Sequence, residues 1–389
     1  MIGVIAKAWT AGLRRAAASE RGRELFTHVV LPYLVQRFFV ACTVLVALQF
    51  FPQRRGSRPL PHLAGLDIWL RWDADFYLSI AQVGYDPQTP TDASAFFPLY
   101  PALSALVGLV LPLPIAAWLV ANLAALGFLI LLHELVRRTD SLELARRSVL
   151  VAILFPTSFF LSAGYAESTY LAFCVATVLA VTAGRRGWAT LWVFLACLAR
   201  PQGFLCLTLP FAACWLAQDR KLASLPWFVA GSIPALGAIM GMHYFWSGDP
   251  LGFLHGRPLG SLGAFSGAPA VRSSAWRVLL DDGFSSTLMR RLLNWSALVL
   301  AVAASAHLIK RRDFTLAVLT VLALALPLYL HKSLMDAASM ARYALLAFPI
   351  FIVIARWTLR SPLAWVYDAG FAMLQAVLFA LFAGWYWAE

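Results

Sequence analysis

Acidic side chains are scarce in this 389-residue chain: 19 Asp and Glu stand against 31 Lys and Arg, and charged residues make up only 13%. With 61% apolar residues and a mean hydropathy of +0.74, a soluble domain of this length has too little polar surface to cover itself. A polytopic helical bundle instead turns the excess apolar surface to lipid. Cysteine is also sparse. Cys42, Cys174, Cys197, Cys206 and Cys214 all lie inside apolar runs, which excludes a disulfide framework or a zinc set and reads them as small core residues. No glycine fingerprint for a nucleotide occurs, so ATP or a sugar nucleotide has no evident place to bind. The net charge of +12 sits in short clusters between apolar runs, where it reports orientation rather than nucleic acid. Lys7, Arg14, Arg15, Arg21 and Arg23 precede the first apolar run without a small-residue cleavage site, so 1–27 is expected to be a retained cytoplasmic tail.

A spanning helix needs about 20 apolar residues. Candidate spans run near 28–50, 115–135, 146–162, 166–183, 188–199, 203–217, 226–246, 291–309, 314–331, 341–357 and 366–387. The chain is thus expected to be an all-α membrane bundle of about eleven spans in a single domain. Basic clusters at Arg137/Arg138 with Arg146/Arg147, Arg185/Arg186, Arg220/Lys221, Lys310/Arg311/Arg312 and Arg356/Arg360 are expected on the cytoplasmic side. The alternation closes on two conditions. The stretch 96–136 must cross once, with a short Pro-bounded interfacial or re-entrant helix near 98–111. The stretch 188–217 must cross twice, turning at Arg200-Pro201-Gln202-Gly203. The first outer loop, 52–114, and a second large one, 247–290, then share the non-cytoplasmic face with Tyr165, Glu167 and the connection from His331 to Arg342.

Polar chemistry therefore gathers on one face. In RWDADFYLSIAQVGY, 71–85, Asp73 and Asp75 flank Ala74, so a helix splays them apart and an extended chain puts them on one face. One reading is a general base acting on a sugar hydroxyl. The others are solvated loop acids, partners of Arg71, or oxygen ligands of a divalent cation. FFPLYPAL, 96–103, reads as a rigid wall shaping the site. In 154–173, Tyr165, Glu167, Ser168 and Thr169 either bind sugar hydroxyls or cap a helix. An arginine at mid-bilayer costs about 2.5–3.5 kcal/mol on insertion scales, so Arg200 is expected at an outward turn, gripping a lipid phosphate or pairing with a buried acid. His331, Lys332 and Arg342 bring donors that can offset charge on a departing phosphate, or else Lys332 and Arg342 snorkel to headgroups.

Taken in order, these motifs resemble the PIG-V-like membrane mannosyltransferases, relatives of GPI mannosyltransferase 2 in the GT-C glycosyltransferase superfamily. RWDADFYLSIAQVGY is similar to the family's tryptophan-aspartate segment, AFFPLYP (95–101) to its aromatic-proline box, FPTSFFLSAGYAES (155–168) to its phenylalanine-rich stretch, ARPQG (199–203) to its arginine-glycine turn, and SMARYALLAFP (339–349) to its arginine-tyrosine box. Phe76 stands where eukaryotic members tend to carry histidine, and Gln202 where they carry asparagine; both departures bear on the acceptor. Short loops point to a compact prokaryotic relative in the plasma membrane.

The resemblance implies a GT-C bundle that takes a sugar, mannose first, from a polyprenyl-phosphate carrier on the non-cytoplasmic side, with inversion at the anomeric carbon. It makes Asp73 the base and Asp75 a secondary acid. From their charge and position, Arg200, Arg342, Lys332 and His331 are expected around the donor phosphate. Trp72, Tyr85, Tyr165, Glu167, Gln202 and Tyr343 are the expected sugar- or acceptor-binding set. The acceptor is a lipid- or glycan-linked hydroxyl, and no cofactor, metal or nucleic acid is expected. A transporter or flippase is the alternative, but transporters usually carry paired broken helices from an internal repeat, and no repeat is evident here.

Overall fold

The computed structural model describes residues 19–51, 56–85, 91–205, 207, 225–255, 286–330 and 339–386. Every regular element among them is helical. Those of seven residues or more are, in chain order, α1 (Glu20–Phe50, with a π-helical turn at Phe26–Val30), α2 (Ala74–Val83), α3 (Leu99–Gly108), α4 (Leu113–Thr139), α5 (Leu142–Leu154), α6 (Glu167–Thr182) and α7 (Arg186–Ala199). They are followed by α8 (Leu225–Ser247), α9 (Ser286–Lys310), α10 (Phe314–Leu330), α11 (Met340–Leu346), α12 (Pro349–Thr358) and α13 (Ala364–Ala383). Among the described residues, four helices are long and apolar enough to cross a membrane: α1, α4, the Arg291–Lys310 part of α9, and α13. The bent pair α11–α12 raises this to five if it counts as one span. The outward face of α1 shows Leu34, Phe38, Phe39, Val46 and Phe50. Such apolar surface is a liability in water and an asset in lipid. This is a multi-pass membrane protein.

α4 is the central post. Proline at its start lacks the N–H that a first turn cannot use, and Arg137 and Arg138 in its last turn complement the helix dipole. Its Ala116, Ala117, Val120, Ala121, Ala125, Phe128 and Leu132 are buried where α3, α5 and α6 pack against it. Small residues along this face let neighbouring backbones approach closely. The chain turns at Asp140, and Ser141 caps α5 by accepting from the Leu144 amide at 3.2 Å.

The stretch 98–111 contains one short helix, α3, as expected, and its ten residues reach only about 15 Å, too little to span. Two other expected elements differ in form. The run 146–162 is not one helix: α5 stops at Leu154 because Pro156 disfavours a helical residue before it and cannot donate. The run 341–357 breaks into α11 and α12, bent by 89° ahead of Pro349. Most of 203–217, and most of the loop 247–290, lie outside the described residues.

Ion pairs mark one end of the bundle. Arg21 meets Glu134 at 3.0 Å, Arg146 meets Glu24 at 2.6 Å, and Arg356 meets Asp313 at 3.5 Å and Asp140. These pairs tie the starts of α1 and α5 to the ends of α4, α9 and α12. α6 begins at Glu167 and runs 16 residues, about 24 Å, before Arg185 and Arg186; α7 then climbs back to Arg200. Glu167 and Arg200 thus sit at the end of the bundle opposite Arg185 and Arg186.

Candidate active site

Asp73 occupies the N-cap of α2, where an aspartate ordinarily accepts from the first-turn amides. Here its side chain makes no cap bond; Oδ2 instead accepts from an Arg342 terminal nitrogen at 2.8 Å. Trp72, just before it, has φ +58, a conformation that costs a bulky residue energy and signals local over-determination. What holds it is visible. The Trp72 indole N–H donates to the Phe382 carbonyl at 3.2 Å, and its ring lies 5.3 Å from that of Trp385. The Tyr165 hydroxyl then accepts from the Asp73 amide at 3.1 Å and donates to the Arg71 carbonyl at 3.0 Å.

Glu167 opens α6 with no solvent exposure. The N-cap position is Ala166, and Glu167 stands in the first turn, where the helix dipole favours an acid, while also forming ion pairs. Its Oε1 accepts a hydrogen bond from Arg342 Nε at 2.6 Å and forms an ion pair with an Arg200 terminal nitrogen at 2.8 Å. The Arg342 guanidinium also lies over two rings, 4.9 Å from Phe160 and 4.6 Å from Tyr165. Arg342 rides on the short, wholly buried α11, entered through Ser339 at φ +65.

Arg200 ends α7 in extended backbone, and its Nε donates to the Gln202 side chain at 3.3 Å. The turn needs glycine. A Cβ on Gly203 would sit 2.6 Å from the Cys197 nitrogen and 2.7 Å from the Ala196 carbonyl oxygen, closer than real contacts allow. Gly203 closes the turn by donating to the Arg200 carbonyl at 3.0 Å.

The result is a chain of contacts, Asp73–Arg342–Glu167–Arg200–Gln202, with two acids against two arginines. Tyr343 is buried beside it and lies within the field of Arg200. Tyr77 joins it as well. Its buried ring sits 5.0 Å from Tyr100 and 6.2 Å from Tyr165, and all four charged groups act on its phenol. The signal in the sequence that marks Tyr77 is its place one helical turn after Asp73.

Other expected site residues go elsewhere. Asp75 joins a separate network with Ser57 and Arg71, and burial pushes its carboxyl above the usual range. Arg71 is itself engaged with Asp67 at 2.7 Å and with the Ser57 carbonyl at 2.9 Å. Tyr85 donates to the Phe96 carbonyl, and its ring packs 4.7 Å from that of His243. Trp72 faces the end of α13. The aromatic wall is present, with Phe96 stacked on Phe76 at 4.9 Å and edge-on to Tyr77. His331 and Lys332 lie outside the described residues. Among the described residues, no three His, Cys, Asp or Glu side chains converge as a metal site would require.

The family model described as Mannosyltransferase (PIG-V) matches residues 63–220. That segment contains Asp73, Tyr77, Tyr165, Glu167, Arg200 and Gly203, whereas Arg342 comes from outside it. The match bears out the resemblance over the four motifs it contains; the fifth, SMARYALLAFP (339–349), lies outside it. No curated protein sequence matches this chain. Among solved structures, the apo oligosaccharyltransferase of Archaeoglobus fulgidus is similar at a TM-score of 0.41 and 12% identity, over 92% of this chain. The chain spans 56% of that protein's length.

Proposed function

We propose that this protein is a membrane glycosyltransferase that moves mannose from a polyprenyl-phosphate carrier to a hydroxyl of a lipid- or glycan-linked acceptor, on the non-cytoplasmic side and with inversion. The observation that carries this reading is the chain Asp73–Arg342–Glu167–Arg200, buried apart from the partly exposed Asp73. Taking two acids and two arginines out of water is expensive, and such groups in a membrane bundle mark function. Their position at the end opposite Arg185 and Arg186 favours an outward-facing site under the positive-inside rule. The wider topology proposed is that of about eleven crossings, with α2 and α3 lying along the interface.

The geometry also suggests an order of events. While Arg342 holds Asp73, the carboxylate is occupied and unavailable to a hydroxyl. A donor phosphate entering from the lipid between helices competes with Asp73 for Arg342, and Arg200 adds a second cation held through Glu167. Asp73, released, takes the proton of the acceptor hydroxyl as that oxygen attacks C1 of the sugar. The C1–oxygen bond to phosphate breaks, and the carrier phosphate departs with its new charge matched by the arginines. His331 and Lys332, close to Arg342 in sequence, are proposed to extend this phosphate site. Tyr165, Tyr343 and Gln202 face the sugar or acceptor.

The test is incubation of the purified protein with radiolabelled polyprenyl-phosphate mannose and a membrane lipid extract. Label should pass to an acceptor in α linkage, and transfer should persist in excess chelator because guanidinium groups meet the phosphate charge. Absence of any labelled product, or movement of the label across sealed vesicles without acceptor, overturns the reading in favour of transport.

A further inference from the structure

Arg37 stands near the middle of α1, 17 residues after Glu20 and 13 before Phe50, or about 26 Å and about 20 Å along the helix. It is buried, and among the described residues no carboxylate pairs with it. A cation at that depth costs about 2.5–3.5 kcal/mol on insertion scales, so its partners indicate what it is for. One terminal nitrogen donates to the Ser158 carbonyl at 2.7 Å and reaches the Ser158 hydroxyl at 3.4 Å. The other donates to the Gln36 side chain at 2.9 Å, and the guanidinium lies 5.1 Å over the Tyr33 ring.

Ser158 opens a single 3-10 turn, Ser158–Leu161, within an otherwise irregular segment that follows the break of α5. Backbone that departs from the α-helix at membrane depth persists only where protein groups satisfy it. Here the first and last helices supply them. Gln375 of α13 donates to the Ile153 carbonyl at 3.2 Å, to the Phe155 carbonyl at 2.8 Å and to the Ser158 hydroxyl. The Tyr33 hydroxyl bonds Asn122 at 2.7 Å and Ser162 at 2.9 Å. The segment so held delivers Phe160 under Arg342, Tyr165 under Asp73 and Glu167 between both arginines.

We infer that Arg37 is a positioning residue for sugar transfer. By gripping Ser158 from inside the bundle, it fixes the irregular segment 155–166 so that Arg342 and Asp73 meet in register. The inference rests on the proposed transferase activity for its kinetic consequence. A guanidinium is required because two acceptors in a fixed fork must be met at once, which a lysine ammonium does less well.

The experiment compares purified Arg37→Met, Arg37→Lys and wild type, with the donor titrated and amide hydrogen exchange measured in the same detergent. A misplacement of about 1 Å remote from the chemistry costs roughly 10²-fold. Arg37→Met should therefore lose about 10²-fold in kcat with donor KM changed less than about threefold, and Arg37→Lys should recover about tenfold of that loss. Amides of 157–166 should lose protection in Arg37→Met while those of α5 keep theirs. Gln375→Leu, acting on the same segment from α13, should move kcat in the same direction. If Arg37→Met does not fold, Arg37→Lys decides, and its turnover within twofold of wild type overturns the inference. It is equally overturned if Arg37→Met keeps kcat within twofold, or if KM rises in step with the fall in kcat. If wild type fails to transfer mannose, the transferase reading falls by itself, and unchanged protection of 157–166 in Arg37→Met then sinks the positioning claim independently.

Discussion

The hydroxyl of Thr157 donates to the carbonyl of Ala341 at 2.9 Å, tying the irregular segment after α5 to the residue before Arg342. Two parts of the chain separated by 184 positions are thereby locked side by side. Glu167 and Arg342 meet because this seam holds their backbones, so the ion-pair chain is a consequence of packing between α11 and the segment leading into α6.

Replacement of Asp73 by asparagine removes the proposed base while keeping shape. A positioned general base contributes about 10²–10⁴-fold, so Asp73→Asn should lower kcat for mannosyl transfer by that order with the fold retained. Steady-state turnover against a melting curve measures both, and wild-type turnover would exclude Asp73 as the base.

Glu167→Gln should behave differently, because it strips the shared anion from two buried arginines. Breaking a buried ion pair by removing one partner costs about 3–5 kcal/mol. Thermal unfolding in detergent should therefore drop markedly more for Glu167→Gln than for Asp73→Asn, whose side chain is 13% exposed where that of Glu167 is not exposed at all. Equal melting temperatures for the two variants would mean that the arginines find other anions.

At Gly203 a methyl group collides with the backbone of α7, so Gly203→Ala must shift the turn that presents Arg200. Loss of both stability and turnover is expected. Gly127 in α4 provides the contrast: nothing lies within 4 Å of its added Cβ, and alanine in a helix interior gains roughly 0.5–1 kcal/mol over glycine. Parallel melting curves distinguish the two, and a neutral Gly203→Ala would contradict the packing of the turn.

Asp75 sets a pH dependence of opposite sign to that of a salt-bridged acid. Burial raises its carboxyl above the ordinary 3.8, with the Ser57 hydrogen bond and the Arg71 charge opposing. The folded state then holds the proton more tightly than the unfolded chain does. Its contribution is present below the ordinary value and lost as pH rises through the raised one. At about pH 7 the ionised group costs stability. Asp75→Asn should melt higher than wild type there, with the advantage shrinking toward about pH 4. A lower melting temperature at neutral pH would show that Arg71 outweighs burial.

Much of this molecule was legible in the amino-acid order alone. The apolar runs gave the helical membrane class, because lipid leaves the backbone few alternatives. The motifs RWDADFY, GYAES, ARPQG and ARY marked Asp73, Tyr165, Glu167, Arg200 and Arg342, because charged and hydroxyl groups stand out where nearly everything is greasy. The breaks at Pro156 and Pro349 were not read, because both prolines lie inside apolar runs, 146–162 and 341–357, long enough to pass for single spans. What only the tertiary structure decided is partnership. That Arg342 is shared by Asp73 and Glu167, that Asp75 turns to Arg71, and that Arg37 serves Ser158 all depend on helices distant in sequence coming together. Local periodicity says which face a side chain occupies, but the direction and reach of a guanidinium are settled by whichever carbonyl or carboxylate the packed neighbours bring within about 3 Å.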